Sequence, residues 1–293
     1  MAGHASVLLD EALALLAVKG GGFYVDGTLG LGGHAEAILE RSAPDGTLLG
    51  TDKDSQALDL AAARLARFSG RVRTEHADFR ALPGLLGGRR ADGVLLDLGT
   101  SSLQLDTPER GFSMKREGPL DMRMDQGAGR SAADLVNQAS PEQLADVIHE
   151  FGEERYARRI ARAIVDARRR ARIRTTSELA EIVRRAAGRD RPGFDPATRT
   201  FQALRIAVND ELLRLGETLR ELAGCLAPAG RLVVIAFHSL EDREVKQAFR
   251  ALAGVGYNVL TKKPLRPSPA ETHSNPRARS ARLRGLERAA EAA

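Results

Sequence analysis

The sequence predicts an α/β fold, a doubly wound and mostly parallel sheet interrupted by an all-helical insertion. Three observations carry this expectation. Short apolar strands alternate with helix-length segments through the first part of the chain. A long, purely helical pattern follows. The alternation then resumes at Arg231 to Phe237, a near-continuous apolar run of the kind found at the centre of a parallel sheet. The chain therefore divides into a first sheet part over 1–105, an inserted helical substrate-recognition part over 106–200, and a second sheet part over 201–293 that ends in a basic segment.

Taken in order, Gly22 to Asp26 is a β-branched and aromatic strand, followed by a glycine-rich turn and the helical pattern Ala35, Ile38, Leu39. A strand at Thr47 to Thr51, a helix from Ser55 to Phe68, and strands at Val72 to His76 and Gly93 to Leu98 come next. Leu105 to Asp125 shows no periodicity, whereas Ala132 to Ala187 is helical throughout. Thr175 and Glu178 have capping-box spacing ahead of Leu179, Ile182 and Val183. One long helix is expected from Thr200 to about Leu226, stopped by Pro228 and Gly230. The helix Asp242 to Leu252 and a last strand at Tyr257 to Thr261 close the pattern.

The chain has 293 residues, of which 43% are hydrophobic, enough to build a core. One cysteine, Cys225, allows no intramolecular disulfide and no cysteine-based zinc cage, as suits a reducing cytoplasm. The apolar runs fall well short of the roughly 18 residues that span a bilayer, and Met1 to Leu9 lacks the features of a signal peptide. A cytoplasmic protein without membrane contact is expected. The 44 basic residues against 39 acidic ones give a net charge of +5, and only six of the 44 are lysine. A GC-rich genome accounts for the arginine preference but not for its clustering. Arg155 to Arg191 holds 13 arginines against four acids, and Lys262 to Arg288 holds eight basic residues against Glu271 and Glu287. The remainder is acidic, and such asymmetry marks a polyanion-binding face.

Asp26-Gly27-Thr28-Leu29-Gly30-Leu31-Gly32-Gly33-His34-Ala35 ends a strand and opens a helix, where backbone N–H groups approach a ligand. Gly30 to Ala35 fits the dinucleotide fingerprint, and Asp52 follows at the end of the second strand, placed to accept from both ribose hydroxyls. Either NAD or S-adenosylmethionine satisfies these features. Three more favour S-adenosylmethionine. Asp26 would repel a pyrophosphate but suits an ammonium group; Asp78-Phe79 offers an acceptor for an adenine amine beside an aromatic platform; and Leu226 to Val234 resembles the turn before the fifth strand of class I methyltransferases.

Strand four ends in Leu95-Leu96-Asp97-Leu98-Gly99-Thr100-Ser101-Ser102, and Asp97 is expected near the donor methyl. Its carboxylate can accept from an exocyclic amine and aim the nitrogen lone pair, an alignment worth roughly 7–11 kcal/mol. The two prolines and aromatic ring usual at this place in amino-directed methyltransferases are missing. Methylation at a pyrimidine C5 would need a cysteine, and Cys225 lies toward the amino end of a strand, on the wrong side of the sheet. Asp97, Ser101 and His238 are the candidate catalytic side chains. The other histidines show no metal-ligand spacing, and no metal is expected.

At this point the residues match a family. Asp26 to Ala35, Leu95 to Asp106, Glu109 to Ser113, Gly118 to Asp125, Gly152 to Arg155, Thr198 to Asn209, Phe237 to Arg243 and Asn275 to Ser280 resemble the bacterial small-subunit ribosomal RNA cytosine-N4 methyltransferases, formerly called MraW, from His4 to about Arg288. The resemblance implies methylation of a cytidine N4 in the decoding centre of 16S ribosomal RNA, with S-adenosylmethionine as donor, on a class I methyltransferase sheet carrying an inserted helical domain. It places donor contacts on Gly32, Gly33, His34, Asp52, Phe79, Asp97 and Gln104, while Asp26 and Asp78 come from the residues alone. Leu105 to Asp125, with Arg110, Phe112, Arg116 and Arg123, is expected to form a lid over a flipped base. A homodimer is the leading expectation for assembly. A DNA amino-methyltransferase and a non-catalytic ribosome assembly factor are the alternatives.

Overall fold

The computed structural model describes residues 6–188 and 195–290. The chain forms two compact units, one made of Met1–Gly99 with Arg214–Ala293, the other of Thr100–Leu213. The borders expected at 106 and 200 thus fall at Thr100 and Leu213. The helical unit keeps the short helix after strand four, and it keeps the helix 197–209 because that helix packs on 141–152.

In chain order the sheet unit runs α1 (Leu9–Leu16), β1 (Phe23–Asp26), α2 (Gly33–Arg41), β2 (Thr47–Asp52), α3 (Ser55–Leu65), β3 (Val72–His76), α4 (Leu82–Leu86) and β4 (Ala91–Asp97). The helical unit contributes α5 (Ser102–Asp106), α6 (Ala132–Gln138), α7 (Pro141–Gly152), α8 (Ala157–Arg168), α9 (Thr176–Ala187) and α10 (Ala197–Asn209). The chain then returns through α11 (Leu215–Gly224), β5 (Leu226–Ala236), α12 (Ser239–Leu252), β6 (Tyr257–Val259), α13 (Pro269–Ser274) and β7 (Arg282–Arg288). No helix among the described residues is long and apolar enough to cross a membrane.

The sheet has the order β3-β2-β1-β4-β5-β7-β6, with β1 to β5 parallel and β7 antiparallel to both β5 and β6. This is the doubly wound, mostly parallel arrangement expected of a class I methyltransferase. The strand order reverses between β1 and β4, so the carboxyl ends of these two strands flank the crevice where such sheets bind ligands. Side chains alternate across the sheet, and both faces are dry. Tyr24, Leu48, Leu95, Val233 and Ile235 pack with Leu13 and Leu16 of α1, Ile38 and Leu39 of α2 and Leu65 of α3. Val25, Leu49, Val94, Leu96, Leu232 and Val234 are buried too, on the opposite face.

Two expectations at the carboxyl half need correction. The helix expected from Thr200 to Leu226 is two helices, broken where Asp210 and Arg214 adopt φ of 51° and 53°, a left-handed conformation no helix carries. Tyr257 to Thr261 is not the last strand, because β7 inserts between β5 and β6. Its sequence, Arg-Leu-Arg-Gly-Leu-Glu-Arg, reads as basic surface, yet Leu283, Gly285 and Leu286 are buried against β5 and Arg284 is paired with Asp242.

The helical unit has its own core. Leu144 and Ile148 of α7, Ile160 and Ile164 of α8, Leu179 and Val183 of α9, and Phe201 and Leu204 of α10 lie within one apolar cluster. The expected capping box opens α9: Thr175 Oγ1 accepts from Glu178 N at 3.2 Å, and Glu178 Oε2 accepts from Thr175 N at 3.1 Å. In α8, Ala157, Ile160, Ala161, Ile164 and Val165 face inward at helical spacing, which leaves Arg158 and Arg162 exposed.

Candidate active site

β1 is buried along its whole length, and its last residue is a carboxylate that the sheet carries into the interior. The loop that follows is pinned on both sides. Gly27 N donates to Leu95 O at 2.9 Å, Leu29 N donates to Thr51 O at 2.9 Å, and Thr51 Oγ1 donates to Gly27 O at 3.1 Å. A Cβ on Gly27 would stand 2.4 Å from a Leu96 methyl, so no larger residue fits there. Gly32 caps α2 with φ of 77°, a conformation that costs glycine nothing.

Three carboxylates gather around this loop. Asp26, 1% exposed, accepts from Thr28 N at 3.2 Å. Burial pushes its pKa up to about 7, with the Thr28 N–H pulling down and the charge of Asp52 adding to the rise. Asp52 ends β2 and accepts from Gly30 N at 2.7 Å and Asp54 N at 2.9 Å, yet burial still holds it above the usual carboxylate range. Asp97 ends β4, and its backbone N–H donates to Thr28 Oγ1 at 2.6 Å. Its side chain keeps 24% of its surface exposed, but Oδ1 is enclosed and has no hydrogen-bond partner among the described residues. Burial, and after it the charges of Asp26 and Glu241, drive the Asp97 pKa well above its ordinary value. Asp97 Oδ2 lies 3.7 Å from His34 Nδ1, and the other ring nitrogen of His34 lies 3.1 Å from the Val7 carbonyl.

Crowded, poorly solvated carboxylates with an orphaned oxygen form an acceptor set that a cation would relieve. The residues thus fit a donor carrying a sulfonium and an ammonium group. Asp52, held by two backbone donors, is fixed in orientation at the strand end where a ribose is expected.

Asp78 and Phe79 follow β3. The Asp78 carboxylate accepts from Arg80 Nε and Nη2, both at 2.8 Å, from Arg80 N at 2.9 Å, and lies 2.9 Å from Lys53 Nζ. Burial opposes ionisation, but these partners carry its pKa down to about 2. Asp78 is already engaged by two cations, whereas Phe79 is half-buried, its Cβ 3.1 Å from where a Gly27 Cβ would be.

His238 caps α12: its Nδ1 accepts from Glu241 N at 3.3 Å, while Glu241 Oε2 accepts from Phe237 N at 2.8 Å and His238 N at 3.3 Å. This reciprocal box accounts for a buried histidine at the end of β5, the structural alternative to a substrate contact. Ser101 and Gln104 lie in the helical unit, where they form a capping box of their own on α5: Ser101 Oγ accepts from Gln104 N at 3.3 Å, and Gln104 Oε1 accepts from Ser101 N at 3.0 Å.

The residues expected to form a lid are partly spent inside the helical unit. Arg110 is 2% exposed and donates to the carbonyls of Arg123 and Met124 at 3.1 and 2.8 Å; Phe112 is buried; and Arg123 pairs with Asp121 at 2.6 Å. Arg116 remains exposed. Among the clustered arginines, Arg172 pairs with Asp134, Arg184 with Asp195 and Arg185 with Glu181, while Arg189 and Arg191 lie outside the described residues. Thr28 and Glu241 are the contributors that the motifs did not single out. Thr28 is a hydroxyl among glycines, and Glu241 stands three residues after a histidine at capping spacing; both are signals the sequence carries.

The sequence profile of the MraW methylase family matches residues 1–289. A ribosomal RNA small subunit methyltransferase H of Syntrophus aciditrophicus is 50% identical over 306 residues, covering 97% of this chain and 97% of its own. Another of that name, from Oleidesulfovibrio alaskensis, is 50% identical over 308 residues, covering 97% of this chain and 95% of its own. Among solved structures, an rRNA methylase from Streptococcus thermophilus is 11% identical, with 98% of this chain and 99% of that one covered and a TM-score of 0.45.

Proposed function

The chain belongs to the MraW methylase family, and from that premise we propose that it methylates the exocyclic N4 amine of a cytidine in the decoding centre of 16S ribosomal RNA, with S-adenosylmethionine as donor. The observation that carries the chemistry is Asp97. Its backbone is tied to the glycine loop, its Oδ1 has no hydrogen-bond partner among the described residues, and it closes a strand at the switch point of the sheet. Such a carboxylate accepts from an amine N–H and directs the nitrogen lone pair.

When bound, S-adenosylmethionine supplies a methyl carbon on positively charged sulfur. Asp26 and Asp97 favour that charge, and the same two carboxylates would repel the pyrophosphate of a dinucleotide. Asp52 accepts from the ribose hydroxyls, and Phe79 stands beside the adenine. Gly32, Gly33, His34 and Gln104 are donor contacts by resemblance, and Ser101 and His238 remain acceptor-side candidates. A base must leave its stack to reach Asp97, at a cost of a few kcal/mol. Exposed arginines on α8, among them Arg158 and Arg162, supply phosphate contacts that offset it without reading sequence.

The test presents labelled donor with small ribosomal subunits, naked 16S RNA or duplex DNA. Transfer to the ribosomal RNA supports the reading. Transfer to DNA alone would support a DNA amino-methyltransferase, and binding to subunits without any turnover would support an assembly factor.

A further inference from the structure

We propose that His34 is a positioning residue that takes up the departing amine proton through Asp97. The proposal rests on the functional reading above and deepens it, since alignment of the amine does not say where its proton goes.

The geometry defines the protonation of the ring. The partner of His34 Nε2 at 3.1 Å is a backbone carbonyl, that of Val7, which can only accept. Nε2 therefore carries the hydrogen, and in the neutral ring Nδ1 presents its lone pair. That lone pair faces Asp97 Oδ2 at 3.7 Å. A carboxylate and an imidazole lone pair repel each other until a proton lies between them, and then they attract. The separation exceeds hydrogen-bond length by a fraction of an ångström. Besides His34, the charged groups that bear on Asp97 among the described residues are acidic: Asp26 at the end of β1 and Glu241 on α12. His34 itself is 6% exposed, so the pair holds its proton away from bulk water.

In the reaction the amine nitrogen bonds to the methyl carbon as the carbon–sulfur bond breaks and sulfur keeps the electron pair. The nitrogen then holds one proton in excess. That proton passes to the Asp97 carboxylate and on to His34 Nδ1, leaving carboxylate and imidazolium. At low pH the pair already holds a proton and can accept none, so kcat falls on the acid side.

The first arm of the test needs no donor. In histidine-labelled protein, 15N resonances report the tautomer and titration of His34. The expected result is an Nε2–H tautomer in wild type and a His34 pKa that drops by about one unit or more in Asp97→Asn, because the carboxylate that favours the cation is gone. An Nδ1–H tautomer, or a titration that Asp97→Asn does not move, overturns the proposal. The second arm uses His34→Gln, which keeps a donor for the Val7 carbonyl and removes Nδ1. The kcat at saturating S-adenosylmethionine should fall about tenfold or more, with the acid limb of its pH profile displaced, in addition to any rise in KM that loss of a donor contact brings. A change in KM and melting temperature alone would make His34 a binding or structural residue and end the proposal. If wild-type protein moves no methyl group to ribosomal RNA, the functional reading fails, while the resonance arm still decides whether the two residues share a proton.

Discussion

The Asp97 backbone N–H donates to the Thr28 hydroxyl at 2.6 Å, which joins the end of β4 to the loop leaving β1. The carboxylate that would meet the acceptor and the glycine loop that would meet the donor are therefore directly bonded to each other, beside the Gly27 N–H bond to Leu95 O. Thr28→Val keeps the side-chain shape but leaves that N–H without its acceptor. A loss of about 1–3 kcal/mol in urea unfolding is expected, together with a fall in kcat, and Thr28→Ser should restore both. Equal defects in the Val and Ser variants would separate the hydroxyl from the effect.

Asp26 makes stability depend on pH in an unusual direction. Its pKa is near the ordinary 3.8 when unfolded and about 7 when folded. Between these values the folded state keeps a proton that the unfolded state releases, so stability falls as pH rises from about 4 to about 7. The full span is on the order of 4 kcal/mol from this one group. Relative to wild type, Asp26→Asn should flatten the decline in donor-free protein, as read by denaturant midpoints at several pH values. Parallel curves for the two proteins would show that Asp26 ionises normally.

The same protonation couples to the donor. An ammonium beside Asp26 favours the carboxylate, so binding S-adenosylmethionine near pH 6 should release a proton and affinity should rise toward pH 8. Calorimetry in buffers of different ionisation enthalpy measures that release. Proton uptake would place the ammonium elsewhere.

Asp52 holds the donor loop and is expected to hold the ribose. Asp52→Ala should weaken S-adenosylmethionine binding at least tenfold, since each hydroxyl loses a charged acceptor worth roughly 1.5–3 kcal/mol. Unchanged calorimetric affinity would contradict the assignment.

Replacing Arg158, Arg162 and Arg170 with glutamine should flatten the salt dependence of RNA affinity by about 0.7 in logarithmic slope for each single-strand phosphate left without its arginine. All three are exposed. An unaltered slope would assign phosphate binding to other arginines.

Much of this site is written in local sequence. Asp26, Asp52 and Asp97 are legible because each ends an apolar run, which makes it a carboxylate at the rim of a parallel sheet. The glycine loop and the α9 capping box are local as well, and they lie where spacing put them. What stayed hidden depends on distant partners. Strand β7 intersperses charged residues with Leu283, Gly285 and Leu286 and becomes a strand by pairing with β5 and by the Asp242 bond to Arg284. The break at Asp210 and Arg214 is set by backbone conformation rather than by a glycine or proline. The tautomer of His34 depends on Val7, far from it in sequence, and the engagement of Asp78 depends on Lys53.

Digestion of the methylated RNA to nucleosides, followed by mass spectrometry against standards, asks most directly whether Asp97 presents an amine to the donor carbon. The predicted product is N4-methylcytidine, formed by wild type and nearly lost in Asp97→Asn even when S-adenosylmethionine is raised to saturation. A 5-methylcytidine or a ribose-methylated nucleoside would contradict the account.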